Sequence, residues 1–208
     1  MPQLQFAHFF LGPLATNCYL MHDGKEAVVF DPGGSPEKVL DYLKKNNLKL
    51  TAIYNTHLHF DHVTGNHELS LASGAPIYAN DRDSYLIPEN RNASIMYGVA
   101  PVEDFEFQNL DEGTVSVLGT EMRVLATPGH TPGSLSYYLP EYKTVICGDV
   151  LFHRDIGRTD FKGGDYPTIE KSIREKLYTL PEDTRVCPGH EDTTSIGEEK
   201  LYNNYVRA

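Results

Sequence analysis

Four short apolar segments of this 208-residue chain each run into a turn that carries a residue able to bind a metal ion. The segments are 52–54, 124–126, 145–147 and 186–187, and the residues that follow them are His57, His130, Asp149 and His190. Short apolar runs of this kind are typical of buried strands, whose ends present side chains into a shared cleft. Amphipathic helical patterns alternate with them at 35–43 and 169–177. This alternation predicts a layered α/β fold.

Local signals predict where some of the elements begin and end. Asp23-Gly24 between two apolar runs predicts a β-hairpin, and Ser35 before Pro36 predicts a helix with proline at its first position. Gly74 predicts the left-handed end of a second helix. No repeat, low-complexity tract or linker divides the chain, so we expect a single domain over residues 1–208.

The densest group of reactive residues is His57-Leu58-His59-Phe60-Asp61-His62. One histidine alone is more often a satisfied structural residue than a ligand. Three imidazoles and a carboxylate within six positions are hard to explain by packing, because each buried polar group needs a partner. Taken with the residues at the other strand ends, the group predicts a metal centre.

Five histidines and two aspartates exceed what one tetrahedral ion binds, and they fit two ions that share a carboxylate. One ion would be bound by His57, His59 and His130, the other by Asp61, His62 and His190, with Asp149 as the bridge. Nitrogen and oxygen ligands suit zinc, iron or manganese, of which zinc is favoured. Two divalent ions less two aspartates and one hydroxide leave a net charge of about +1, which attracts an anionic substrate.

The remaining polar residues carry weaker signals. We interpret His8, His22 and His67 as structural or exposed, and a supporting role for His153 stays open. Asp31 is either an acceptor for a metal-bound histidine or the cap of the turn that follows it. Cys147 and Cys187 follow apolar runs and are interpreted as small buried hydrophobes.

Composition excludes several classes of function. With 29 acidic and 18 basic residues the net charge is −11, which argues against binding nucleic acid. No apolar run approaches the ~18 residues of a membrane span, and no secretory signal is visible, so we expect no membrane association. Three cysteines are too few for a disulfide scaffold and indicate the cytoplasm. The oligomeric state is not indicated.

Several motifs carry a family resemblance. The chain reads Thr-His-x-His-x-Asp-His over 56–62, Thr-Pro-Gly-His-Thr-Pro-Gly over 127–133, Cys-Gly-Asp over 147–149 and Pro-Gly-His over 188–190. It thereby resembles the metallo-β-lactamase superfamily, specifically the short, single-domain branch of glyoxalase II, the hydroxyacylglutathione hydrolase. Segments 17–20, 30–34, 148–152 and 156–160 extend the resemblance. It implies an αββα four-layer sandwich, in which two mixed β-sheets are flanked by helices and the dinuclear site lies at one edge.

The resemblance implies a dinuclear metallohydrolase that uses a metal-bound hydroxide to cleave a small-molecule thioester such as S-D-lactoylglutathione to a hydroxy acid and a free thiol. Asp61 is the candidate catalytic residue, which would orient the nucleophile and take up its proton. Arg158 and Lys162 are candidate contacts for a substrate carboxylate, with ordinary surface charge as the other interpretation.

Two departures from the family pattern matter. β-Lactamases of the superfamily usually lack a histidine at the position of His62, so lactam hydrolysis is not expected. Only 18 residues follow His190, so the helical domain that holds glutathione in longer glyoxalase II enzymes has no match.

Two alternatives remain. His57, His130 and Asp149 alone form the two-histidine, one-carboxylate set of a mononuclear Fe(II) enzyme, and persulfide dioxygenases of the superfamily resemble this chain. A metal-binding module without catalysis is the other. Metal stoichiometry and turnover separate the three.

Overall fold

The computed structural model describes residues 3–207, which divide into two compact units. Unit 1 comprises the described chain up to Leu110 together with Val117–Gly119, and unit 2 comprises Asp111–Ser116 together with the chain from Thr120 onward. Between residues 3 and 207, no helix has the length and apolar character needed to span a bilayer.

A six-stranded sheet forms the framework of unit 1. Its strands are β1 (Gln5–Leu11), β2 (Thr16–His22), β3 (Glu26–Phe30), β4 (Lys49–Tyr54), β5 (Ile77–Ala79) and β6 (Gln108–Asn109). They lie in chain order; β1 to β3 pair antiparallel and β3 to β6 pair parallel, so the sheet is mixed. The predicted hairpin joins β2 and β3, where His22 pairs with Ala27.

The helices of unit 1 include the two that sequence signals predicted, at Ser35-Pro36 and before Gly74. They are α1 (Glu37–Lys45), α2 (Phe60–Val63), α3 (Asn66–Ser73) and α4 (Ile87–Met96), with a 3₁₀ helix at Asp81–Leu86 just before α4. The helix predicted to start at Pro36 begins at Glu37 instead, because Pro36 has a ψ of 7° and acts as the N-cap. Gly74 ends α3 with a φ of 72°, which confirms the predicted left-handed end.

Two apolar clusters stabilise unit 1. One packs Val39 and Leu43 of α1 against strand residues that include Val29 and Ile53. The other brings Leu58 of the loop after β4 and Val63 of α2 together with Leu86 of the 3₁₀ helix and Val102, which follows α4. Because the second cluster includes residues of the histidine-rich stretch, it holds that stretch in place.

A second mixed sheet forms the framework of unit 2, which contains all of its residues except Val117 at the end of the first strand. Its strands are β7 (Gly113–Val117), β8 (Thr120–Ala126), β9 (Leu135–Leu139) and β10 (Thr144–Gly148), followed after the short hairpin of β11 (Leu151–Phe152) and β12 (Asp155–Ile156) by β13 (Arg185–Pro188) and β14 (Thr194–Ser195). The order is β14-β13-β10-β9-β8-β7. β10 and β13 pair parallel, whereas β8 with β9, β9 with β10 and β13 with β14 pair antiparallel.

Unit 2 has two α-helices among its described residues, α5 (Tyr166–Ser172) and α6 (Ile196–Tyr202). A short 3₁₀ helix at Pro140–Tyr142 lies between β9 and β10. The predicted face of Ile169, Ile173 and Leu177 is fully buried in the core of the unit, which confirms it. The pattern did not predict that the helix widens into a π-helix over Ile173–Leu177, where the Tyr178 N–H donates to the Ile173 carbonyl at 2.8 Å.

The four apolar segments singled out in the sequence all form strands. They lie in β4 and, within unit 2, in β8, β10 and β13. Each strand ends just before the turn that carries its metal-capable residue, as predicted.

Candidate metal centre

The histidine-rich stretch forms a compact group in unit 1, called here the unit 1 cluster (His57, His59, Asp61 and His62). The ring centroids of His57 and His62 lie 4.1 Å apart, and those of His57 and His59 lie 4.8 Å apart with an interplanar angle of 89°. α2 begins at Phe60, and its first turn brings Asp61 Oδ2 to 3.9 Å from His62 Nε2. Three imidazoles and a carboxylate thus converge within one unit.

Asp31 anchors this cluster through its side chain. Its carboxylate accepts hydrogen bonds from the Thr56 N–H at 2.7 Å and the Thr56 hydroxyl at 2.6 Å, and its Oδ2 lies 3.0 Å from His62 Nδ1. The side chain is buried, and the backbone adopts a φ of 49°. Of the two interpretations of Asp31, the structure favours the acceptor for a histidine.

These contacts indicate which ring nitrogen carries a proton in His57 and His62. A carboxylate only accepts, so His62 carries a proton on Nδ1, and in the neutral ring its lone pair is on Nε2. The Thr56 hydroxyl gives its proton to Asp31 and lies 3.1 Å from His57 Nδ1, so it accepts from that nitrogen. The His57 lone pair is therefore also on Nε2. Histidines that ligate metals have this arrangement, in which the second nitrogen donates to an acceptor.

Unit 2 brings together the other three predicted ligands, called here the unit 2 cluster (His130, Asp149 and His190). Asp149 Oδ2 lies 3.6 Å from His130 Nε2 and 3.7 Å from His190 Nε2. These distances are long for hydrogen bonds, but two ligands on one tetrahedral ion with bonds of ~2.0–2.1 Å lie about 3.3 Å apart. His130 Nδ1 donates to the Arg158 carbonyl at 2.7 Å, which leaves its lone pair on Nε2.

Two glycines permit close backbone approaches beside the clusters. A Cβ on Gly157 would lie 1.8 Å from the Asp149 carbonyl oxygen and 3.3 Å from His130 Cβ. A Cβ on Gly33 would lie 1.7 Å from the Asp61 carbonyl oxygen. Sequence reasoning missed the roles of Thr56 and Gly157, although both lie in quoted motifs; Thr56 directly precedes His57.

The two candidate substrate contacts are exposed. The Arg158 guanidinium forms two hydrogen bonds to Asp160, at 2.9 and 2.7 Å, and lies 4.1 Å from the ring centroid of Phe161. This ion pair lowers the pKa of the Asp160 carboxyl. Lys162 lies on the same loop, also exposed.

His8, His22 and His67 have structural or surface positions, as predicted. His22 is buried and its Nε2 lies 3.1 Å from the Tyr42 hydroxyl, whereas His8 stacks on Tyr19 and lies 2.8 Å from the Asn17 side chain. His67 Nδ1 lies 2.7 Å from the Asp104 carbonyl. His153 is exposed, with its Nε2 3.6 Å from Glu198.

All three cysteines are buried and free of disulfides. Burial raises the pKa of the Cys147 and Cys187 thiols, which keeps them protonated and poorly nucleophilic. This confirms their interpretation as small buried hydrophobes.

The donor set fits divalent cations. It consists of imidazole nitrogens and carboxylate oxygens, and for His57, His62 and His130 the Nδ1 atom faces an acceptor, which makes Nε2 of the neutral ring the metal-binding nitrogen. The same donors accommodate zinc, iron or manganese, so the identity of the metal is open.

The sequence matches the model of a known protein family and several known proteins over most of its length. The model of the metallo-beta-lactamase superfamily matches residues 11–190. The chain is 37% identical over 199 residues to probable metallo-hydrolase YqgX of Bacillus subtilis, covering 94% of each protein. It is 34% identical over 197 residues to hydroxyacylglutathione hydrolase GloC of Haemophilus influenzae, covering 92% of this chain and 93% of GloC.

Comparison with solved structures confirms the fold. BLEG-1 B3 metallo-beta-lactamase matches with a TM-score of 0.90 at 35% identity, covering 98% of this chain and all (100%) of that one. TTHA1623 in a di-iron-bound form matches with a TM-score of 0.88 at 37% identity, covering 96% and 100%. ETHE1 from Myxococcus xanthus matches with a TM-score of 0.77 at 33% identity, covering 97% and 84%. The predicted α/β class, with two mixed sheets flanked by helices, is therefore correct.

Proposed function

Because this chain belongs to the metallo-beta-lactamase superfamily, we propose that it is a dinuclear metallohydrolase that cleaves a thioester such as S-D-lactoylglutathione to a hydroxy acid and a free thiol. The observation that carries the proposal is that Nδ1 of His57, His62 and His130 each lies within hydrogen-bond distance of an acceptor, which in the neutral rings makes Nε2 the nitrogen that can bind a cation. The similarity to GloC, which extends over nearly the full length of both chains, supports the thioester as substrate.

Seven side chains would hold the cations in this proposal. His57, His59 and His130 would hold one ion, Asp61, His62 and His190 would hold the other, and Asp149 would be available to both. Zinc is the favoured metal, and the di-iron form of TTHA1623 keeps iron in consideration.

Divalent cations bound by such donors would lower the pKa of water to about 7 and polarise a carbonyl oxygen. Asp61, whose side chain is 14% exposed, orients the attacking water and takes up its proton on the carboxylate. Asp31 keeps the His62 proton on Nδ1, and the Arg158 carbonyl does the same for His130. The Arg158 guanidinium would exchange Asp160 for a substrate carboxylate, with Lys162 as a second cation on that loop.

Thiol release from S-D-lactoylglutathione by zinc-loaded protein tests the proposal. We expect turnover by the wild type and a loss of kcat/KM on the order of 100-fold or more in His59→Ala, since losing a ligand exceeds the ~10–100-fold cost of losing an outer partner. His67→Ala, which removes a histidine bound to the Asp104 carbonyl, is the matched control and should retain activity. No cleavage by metal-loaded wild type would contradict the proposal and favour the non-catalytic module.

A mononuclear Fe(II) persulfide dioxygenase is the second candidate function. The 33% identity to ETHE1 and the pairing of His130 with Asp149 at 3.6 Å favour keeping it, because two histidines and one carboxylate suit Fe(II) and oxygen chemistry. Oxygen uptake with glutathione persulfide, one iron per chain and no thioester cleavage would establish it instead.

A β-lactam should be tested alongside the thioester because of the similarity to BLEG-1 B3 metallo-beta-lactamase. Lactam cleavage without thioester cleavage would overturn both candidates.

The compartment is part of the proposal. All three cysteines are free and buried, which favours the cytoplasm. A net charge of −11 disfavours nucleic acid as a partner and favours a small-molecule substrate.

A further inference from the structure

Leu58, the residue between the first two histidines of the unit 1 cluster, is bound through both of its backbone polar groups. Its N–H donates to Asp83 Oδ2 at 3.3 Å, and its carbonyl accepts from Asn90 Nδ2 at 2.9 Å. Both partners are buried, with 1% and 3% of their surfaces exposed. Two side chains more than twenty residues away in sequence thus hold one residue of the metal-binding loop.

The two hydrogen bonds act on the two peptide planes that flank Leu58. The first plane contains the Cα of His57, and the second contains the Cα of His59, because each trans peptide unit is planar from one Cα to the next. Holding both planes fixes the two backbone torsions of Leu58. Those torsions set the directions in which the two histidines leave the backbone, and hence their perpendicular rings 4.8 Å apart.

The segment that supplies both partners is itself well anchored. Asp83 lies in the 3₁₀ helix Asp81–Leu86, and Asn90 lies in α4, which follows directly. The Asn80 side chain caps the 3₁₀ helix by accepting from the Arg82 N–H at 3.2 Å. Leu86 packs in the same apolar cluster as the fully buried Leu58. The two side chains therefore act from one fixed support.

Part of this arrangement is structural, because the N–H and the carbonyl of the fully buried Leu58 each need a hydrogen-bond partner. Two side chains of a separate segment supply those partners, and an apolar pair in their place would leave both backbone groups unsatisfied. Both of these polar side chains converge on the residue that separates two candidate ligands. The remaining members of the cluster have other supports: His62 is held by Asp31, and Asp61 lies in α2.

We propose that Asp83 and Asn90 are positioning residues for the cation held by His57 and His59, a role that rests on the proposed metal-binding function. Their contribution is to hold the two imidazoles in the orientation that the cation requires before it binds. Outer partners of this kind typically contribute ~10–100-fold to metal affinity.

Zinc titration of chelator-stripped protein by calorimetry, with the melting temperature of each apoprotein measured in parallel, tests the proposal. Asp83→Ala and Asn90→Ala should weaken one of the two zinc-binding equivalents by ~10–100-fold and leave the other within about twofold. Asp83→Asn retains an acceptor oxygen and should bind more tightly than Asp83→Ala. Exposed neighbours in the same two helices, tested as Asp81→Ala and Asn92→Ala, are the controls and should match the wild type.

Each other outcome has a definite meaning. Wild-type affinity at both equivalents in Asp83→Ala and Asn90→Ala overturns the positioning role and leaves the proposed function intact. Equal weakening of both equivalents, in step with a lower melting temperature, overturns it in favour of general stability. No zinc binding by the wild type overturns both proposals. If an alanine variant does not fold, Asn90→Ser, whose side chain is too short to reach the Leu58 carbonyl, carries the same prediction.

Discussion

At the scale of single residues, the candidate site depends on groups that would not bind a metal themselves. The Asp31 carboxylate accepts from the Thr56 hydroxyl at 2.6 Å and lies 3.0 Å from His62 Nδ1, so it supports the Nδ1 side of His62 directly and that of His57 through Thr56. The Arg158 carbonyl does the same for His130 at 2.7 Å. These acceptors determine which nitrogen of each ring is available.

Replacing the anchoring carboxylate should weaken metal binding with little change in backbone strain. Asn tolerates a positive φ such as the 49° of Asp31, so Asp31→Asn removes the charge and one acceptor oxygen while keeping the backbone conformation. We expect zinc affinity to fall by ~10–100-fold. Asp41→Asn, an exposed change on α1, is the control in the same calorimetric titration, and equal affinities for the two variants would contradict the role of Asp31.

The close approach at Gly157 gives a prediction about stability. A methyl group there would lie 1.8 Å from the Asp149 carbonyl oxygen, so Gly157→Ala must displace the backbone beside the unit 2 cluster. We expect a loss of about 3 kcal/mol or more in the free energy of unfolding, measured by urea denaturation. At Gly113 a Cβ meets nothing within 4 Å, so Gly113→Ala should stay within ~1 kcal/mol of wild type. Similar values for the two variants would show that the approach is not rigid.

At the scale of elements, the positions of the strands could be predicted better than the ends and the geometry of the helices. The apolar runs at 52–54 and 145–147 lie in β4 and β10. They could be predicted because a short run of apolar residues is itself the signal of a buried strand. The π-helix at Ile173–Leu177 and the N-cap role of Pro36 depend on packing and torsion angles that no local pattern determines. Helix faces were therefore predictable, and the details of helix ends were not.

The β2–β3 hairpin carries a pH-dependent contribution to stability. His22 Nδ1 accepts from the Gly24 N–H at 3.2 Å, and Nε2 lies 3.1 Å from the Tyr42 hydroxyl, so the native contacts use the neutral ring. Burial lowers the pKa of His22, with an opposing effect from Asp23. Below about pH 6.5 the unfolded chain therefore binds a proton that the folded chain resists, and stability falls as pH decreases.

Removing this histidine should reduce that pH dependence. Metal-free wild type should lose more unfolding free energy between pH 7.5 and pH 5 than His22→Gln does, as measured by urea denaturation at each pH. The exposed His153→Gln variant should behave like the wild type. If His22→Gln and the wild type lose the same amount, the buried neutral ring does not contribute.

At the scale of the whole molecule, the family could be predicted from the sequence, because short motifs carry it, and the ligand roles of the seven residues in those motifs stay a prediction. Each cluster assembles within its own unit, with His57 beside His62 in one and Asp149 beside His130 in the other. The residues that hold the metal-binding loop were harder to predict. Asp83 and Asn90 lie 25 and 32 positions from Leu58, and no local sequence pattern indicates that they contact it. The single domain over residues 1–208 stays a prediction.

The number of divalent cations bound per chain tests the central claim most directly. The protein is stripped with a chelator, reloaded with zinc and dialysed to equilibrium, and its zinc content is measured by inductively coupled plasma mass spectrometry. We expect two zinc ions per chain, because seven nitrogen and oxygen ligands with one shared carboxylate match a dinuclear site. His59→Ala and His190→Ala should each bind fewer. A wild-type protein that binds no zinc, or only one ion per chain, would contradict the dinuclear site.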